Sequence, residues 1–147
     1  MEKKQIAVIH GPNLNMLGTR ETGTYGSTTL SDINQALREK AKINNAEVNI
    51  FQSNHEGEIV EAIQHASGTC KALIINPAAY THTSIAVRDS LLLLDVPIIE
   101  VHISNIYKRE PFRHKSMISD VVTGQISGLG STGYLLAMDA VLEMIGT

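Results

Sequence analysis

A second cysteine is missing from this chain: Cys70 stands alone, so no internal disulfide can form. That suits a reducing compartment, and the expected location is the cytoplasm. An excess of positive charge is missing as well. The formal net charge is −3 at pH 7, which removes the electrostatic footprint of a nucleic-acid binder. No apolar run is long enough for a membrane span. The most apolar stretch, Leu91-Leu92-Leu93-Leu94, is broken by Asp95 and Pro97. Met1-Glu2-Lys3-Lys4 leads straight into strand-like sequence without a signal-peptide core. With no linker, repeat or low-complexity tract, residues 1–147 read as one domain. Finally, His10, His55, His65, His82, His102 and His114 do not pair with a cysteine or with one another at metal-ligand spacing. No metal site is expected.

What is present is 43% apolar and 18% charged, the make-up of a soluble globular protein. Strands are expected at Gln5–Ile9, Glu47–Phe51, Ala72–Asn76 and Ile98–Val101, with a weaker one at Asp120–Val122. They are short, β-branched and lack strict alternation, as in a parallel sheet covered on both faces. Helical spacing joins Leu30, Ile33, Leu37 and Ala41, with Asn44-Asn45 as a stop. It joins Ile59, Val60 and Ile63 in a second helix. A third is expected from an N-cap at Ser84 to Leu94. The last starts near Ser131, with Leu135, Met138, Leu142 and Ile145 on one stripe. This alternation implies right-handed crossovers. The expected class is α/β: a flavodoxin-like, doubly wound parallel sheet of about five strands in the order 2-1-3-4-5, with helices on both faces.

The loops carry the chemistry. After the first strand come Asn13, Asn15, Arg20 and Tyr25, where a nucleotide binder would place a glycine cradle. The stretch from Gly18 to Gly26 is rich in glycine and threonine and reads as a lid. Asn76 ends the third strand, and His82 follows in a polar loop. Glu100 and His102 lie two apart on the fourth strand and face the same way. A carboxylate beside an imidazole fixes its tautomer and favours its charged form. In the run Lys108–Lys115, one or two cations are candidates for a polar or anionic ligand. Gly124–Tyr134 has no Walker lysine and reads as a structural turn into the last helix. Strands one, three and four are neighbours in the expected order, so their loops converge on one edge.

Tyrosine, with a pKa near ~10, is a poor base at neutral pH, and a nearby guanidinium favours its phenolate. His102 held by Glu100 can act as an acid. A base and an acid without nucleophile, metal or cofactor suit proton abstraction beside a carbonyl followed by loss of water. Asn13 and Asn15 could hold the developing enolate, directly or through water. No cofactor is expected. The alternative is a flavodoxin-like nucleotide or flavin binding module, which wants a phosphate cradle where Pro12-Asn13-Leu14-Asn15 stands. A phosphorelay receiver would need an aspartate where Asn76 stands.

Several long motifs in one order carry a resemblance over nearly the whole chain. They are Gly11-Pro12-Asn13-Leu14-Asn15, Gly18-Thr19-Arg20, Tyr25-Gly26-Ser27, Asn76 through Ser84, Glu100 through Asn105, and Phe112-Arg113-His114. The chain closely resembles the type II 3-dehydroquinate dehydratases of the shikimate and quinate pathways. The resemblance implies a flavodoxin-like fold in trimers, four of which form a dodecamer. It implies conversion of 3-dehydroquinate to 3-dehydroshikimate by anti elimination through an enolate. By motif position, Tyr25 looks like the base and Arg20 like its partner on the lid. His102 looks like the acid, oriented by Glu100, and Asn13 like the holder of an enolate-bound water. Asn76, His82 and Arg113 would bind substrate hydroxyls, and the amides of Ile103 and Ser104 its carboxylate. Asp89 would arrive from a neighbouring subunit. The chain departs from the expected pattern at Tyr107-Lys108, at Met117 and at Thr22-Gly23-Thr24. These bear on lid closing and subunit packing rather than on reaction type. The unrelated type I enzyme uses a Schiff-base lysine on a (β/α)8 barrel of about 250 residues, longer than this chain.

Overall fold

Successive residues of a strand point to opposite faces, so a strand buried on both sides must be apolar throughout. The first strand, β1 (Lys4–His10), meets that demand over its buried stretch 6–9: Ile6 and Val8 enter one core, Ala7 and Ile9 the other. The structure, a computed structural model, describes residues 2–19 and 27–146. Arg20 and Tyr25, the expected lid pair, and the lid tip Thr22-Gly23-Thr24 lie outside the described residues.

The remaining strands are β2 (Ala46–Gln52), β3 (Ala72–Asn76), β4 (Ile98–His102) and β5 (Gly124–Ser127). All pair in parallel, in the order β2-β1-β3-β4-β5. This is the expected flavodoxin-like sheet. Helices α1 (Leu30–Ile43) and α4 (Thr132–Ile145) cover the Ile6 and Val8 face. Helices α2 (Glu56–Ala66) and α3 (Ile85–Leu91) cover the other. Thr29 caps α1 in a reciprocal box with Asp32, a device worth about 1 kcal/mol. Asn44 and the left-handed Asn45 stop that helix where the sequence placed the stop.

Three expectations need correction. The fifth strand is Gly124–Ser127, not Asp120–Val122. Val121 and Val122 instead donate backbone N–H groups to the Ile118 carbonyl in a turn. The segment from Gly124 therefore begins as a strand and only later turns into α4. Helix α3 ends at Leu91, short of Leu94. Leu92 and Leu93 are about 60% exposed, so this end of the helix has no core to pack against. The buried stripe of α4 runs through Tyr134, Ala137, Met138, Val141 and Leu142, so Met138 and Leu142 face the core as expected but the stripe is centred elsewhere. Leu135 and Ile145 sit at its edge.

The chain runs outward from β1 to β2 and then returns to β3 on the other side of β1. That reversal opens a crevice at the carboxyl edge. Two contacts join the loops there. Gly11 donates its N–H to the Asn76 carbonyl at 2.7 Å. Its missing Cβ makes room for Pro77: a Cβ would lie 2.4 Å from the Pro77 carbonyl oxygen. Backbone cannot yield as a flexible side chain can. Gly11→Ala should therefore cost about 1–3 kcal/mol, measured by urea unfolding. An unchanged midpoint would contradict this close approach.

Candidate active site

The carboxyl edge holds a cleft of about 350 Å³. Asn13 and Leu14 come from the loop after β1, Asn76 and His82 from β3 and the loop after it, and His102, Ile103 and Ser104 from the end of β4. Arg109 and Arg113 close the side, each on a loop segment following a 3-10 turn or within one.

Glu100 and His102 face the same way, as their spacing requires, and are joined by a 2.5 Å hydrogen bond between His102 Nε2 and a Glu100 carboxylate oxygen. Glu100 is completely buried. It also accepts from Ser116 Oγ at 2.9 Å, Ser119 Oγ at 3.0 Å and Gln125 Nε2 at 3.0 Å. Burial by itself pushes its carboxyl up. The hydrogen bond and charge of His102, helped by Gln125 and Ser116, outweigh that and hold it below the ordinary value. A charged Glu100 makes Nε2–H the donor. The other ring nitrogen, Nδ1, is then the one left to serve the cleft. None of Ser116, Ser119 and Gln125 was marked by the sequence, because no local pattern connects them to Glu100.

His82 stacks on His102, with ring centres 6.5 Å apart and planes 22° apart. Its Nδ1 bonds the Lys115 carbonyl at 2.8 Å. Burial holds its pKa down, assisted by repulsion from His102 and Arg113, against the raising effect of the Lys115 carbonyl. Arg113 lies along the Phe112 ring and donates Nε–H to Glu110 at 2.9 Å. Of the charge run, Arg109 and Arg113 reach the cleft.

Asn13 is in a left-handed conformation, φ 68°, tolerable for asparagine, and its N–H bonds Asn54 Oδ1 at 2.9 Å. Asn15 does not line the cleft: its amide oxygen accepts from Gln52 Nε2, on the β2 side. The expectation of an enolate contact from Asn15 is corrected. The carbonyls of Ile103 and Ser104 are engaged by Gly130 N–H and Ser127 Oγ, which orients their peptides at the cleft wall. Asp89 is exposed on α3 and does not line this cleft in the chain's own surface. Among the described residues, no group of three or more histidine, cysteine or carboxylate side chains could hold a metal ion, and no helix is long and apolar enough to cross a membrane.

The sequence did not reveal the support of Asn76. Its carboxamide bonds Tyr134, which bonds His10, which bonds Asn34. The one available signal was a histidine at the end of an otherwise apolar first strand. Tyr134 lay in a segment read only as a turn.

A doubly wound sheet with a buried imidazole–carboxylate pair at its carboxyl-edge cleft defines an α/β enzyme rather than a nucleotide module. The comparisons narrow this. The family model "Dehydroquinase class II" matches residues 4–142. A 3-dehydroquinate dehydratase of Acaryochloris marina is 50% identical over 147 residues, covering 100% of this chain and 99% of that one. A catabolic 3-dehydroquinase of Emericella nidulans is 54% identical over 139 residues, covering 95% and 91%. The crystal structure of the type II dehydroquinase from Propionibacterium acnes superposes with a TM-score of 0.92 at 44% identity, covering 96% and 97%. The chain belongs to the class II (type II) dehydroquinases.

Burial holds the His10 imidazole down at about 4, from an ordinary 6.5, against the raising effect of its bond to Asn34. The folded state thus keeps His10 neutral while the unfolded chain takes up a proton below pH 6.5. The associated stability is full above pH 6.5 and is lost as pH falls toward 4, up to about 3 kcal/mol. Urea unfolding across this range should show that loss in the unaltered protein and less of it in His10→Asn. Equal slopes would contradict the assignment.

Proposed function

We propose that this chain dehydrates 3-dehydroquinate to 3-dehydroshikimate by anti elimination through an enolate. Family membership supports the reaction. The buried Glu100–His102 pair at the wall of the cleft is the observation that carries the mechanism. Tyr25, as phenolate beside Arg20, removes the C2 proton, and the electron pair moves into the carbonyl to form the enolate. Asn13 holds a water against the enolate oxygen. The enolate then collapses, the C–O bond to the leaving hydroxyl breaks, and His102 supplies the proton that makes it water. Glu100 keeps the imidazole oriented and stabilises its charged form. The elimination calls on no metal or cofactor.

Asn76, His82 and Arg113 bind the substrate's hydroxyl groups, and the amides of Ile103 and Ser104 bind its carboxylate. Asp89 completes the site from a neighbouring subunit of a trimer, within a dodecamer of four trimers. An exposed Asp89 near the exposed Ile85 on α3 and Leu92 just past its end suits such a packing face. The working location is the cytoplasm. Both a biosynthetic and a catabolic role fit, since a relative named 3-dehydroquinate dehydratase 1 and one named catabolic 3-dehydroquinase are about equally similar.

The test is enone absorbance growing from 3-dehydroquinate. His102→Ala and Tyr25→Phe should each lower kcat by about 10²–10⁴-fold. Normal turnover in either variant would remove that residue from the mechanism. Borohydride should leave the activity intact; inactivation that requires substrate would point to a Schiff base instead.

A further inference from the structure

A chain of buried polar groups runs back from the cleft through β3, α4, β1 and α1, and the elimination uses none of it beyond its first member. Asn76 Nδ2 donates to the Tyr134 hydroxyl at 3.0 Å. The Tyr134 hydroxyl and His10 Nδ1 are 3.1 Å apart, and His10 Nε2 and Asn34 Oδ1 2.8 Å. Tyr134 and His10 are fully buried, and Asn76 is 3% exposed.

The direction of every link is fixed. Asn76 Oδ1 takes the Ala78 N–H at 3.0 Å, which settles which end of the carboxamide is oxygen. Its nitrogen must then be the donor toward Tyr134. The phenol has one proton, and with its oxygen accepting from Asn76 that proton goes to His10 Nδ1. Nδ1 accepts, so the imidazole proton sits on Nε2 and goes to Asn34 Oδ1, an acceptor only. Burial raises the Tyr134 phenol and lowers the His10 imidazole, so both stay neutral and the order holds.

We propose that Tyr134 and His10 are positioning residues that lock the Asn76 carboxamide in one orientation, with its second N–H presented to a substrate hydroxyl. A carboxamide nitrogen carries two N–H groups. One is spent on Tyr134. Asn76 has no other side-chain partner among the described residues, and it lines the cleft. The same lock serves the loop beyond it. Ala78 is held in the left-handed region at φ 53°, where a residue with a Cβ is strained, and its N–H is tied to Asn76 Oδ1. Reversing the carboxamide would set its NH₂ against the Ala78 N–H and the tyrosine hydroxyl would lose its donor. This inference rests on the reading of Asn76 as a ligand for substrate hydroxyls.

The experiment is steady-state kinetics on 3-dehydroquinate for Tyr134→Phe, Asn76→Ala and the double variant, with His10→Leu and His10→Asn alongside. Tyr134→Phe keeps the buried ring and should raise KM about three- to tenfold with little change in kcat, the loss expected for one neutral hydrogen bond. In the Asn76→Ala background it should have no further effect on KM. His10→Leu should raise KM as well, and His10→Asn, whose amide oxygen can stand near Nδ1, should restore it. An unmoved KM in Tyr134→Phe, or an effect that simply adds to that of Asn76→Ala, overturns the proposal. Should Tyr134→Phe fail to fold, the His10 pair decides by the same readout. Failure of the unaltered protein to turn over 3-dehydroquinate would instead overturn the functional reading.

Discussion

A carboxylate with no access to water is the constraint around which this site is arranged. Glu100 is buried in the middle of β4, and its charge is tolerable only because four groups donate to it. Removing one partner from such a buried pair costs about 3–5 kcal/mol, whereas an exposed pair such as Lys3–Glu47 is worth about 0–1. The demand for donors also shapes the chain. Ser116 and Ser119 come from the segment ahead of β5, and Gln125 from β5 itself. Ser116 Oγ in turn accepts from the N–H groups of Ile118 and Ser119 at 3.1 Å. The residues expected as a strand, Asp120–Val122, follow directly in the turn closed on the Ile118 carbonyl, and the strand begins later, at Gly124.

The same carboxylate orders the cleft. It occupies one nitrogen of His102 and so decides which nitrogen faces a ligand. His82 stacks against that ring, and the loop carrying His82 is anchored through Lys115 and through Met117, whose N–H bonds the Thr81 carbonyl at 2.8 Å. On the far side, Gly11 and Asn76 bring the loops after β1 and β3 into contact. The site thus stands on two fixed walls, one polar and ionic, one a close backbone approach.

The sheet order and both cores were legible because strands buried on two faces have a distinctive apolar run, and Ile6–Ile9, Ala72–Ile75 and Ile98–Ile99 show it plainly. The Glu100–His102 contact was legible from a spacing of two on a strand. The fifth strand was not. Gly124-Gln125-Ile126-Ser127 is a polar edge strand with one partner, and its sequence looks like loop. The end of α3 was obscured because Leu92 and Leu93 are apolar yet exposed, so hydrophobicity there does not report burial. His10, Tyr134 and Asn34 come from β1, α4 and α1, and only the fold brings them together; local spacing carries no trace of their contact.

The central claim is that Glu100 accepts the hydrogen bond from His102 Nε2–H and leaves Nδ1 as the nitrogen turned to the cleft. Nitrogen-15 NMR of histidine-labelled protein, read for the tautomer of the neutral ring, tests it most directly. The account predicts that the neutral His102 ring carries its proton on Nε2 and leaves Nδ1 bare. A neutral ring carrying its proton on Nδ1 would contradict it.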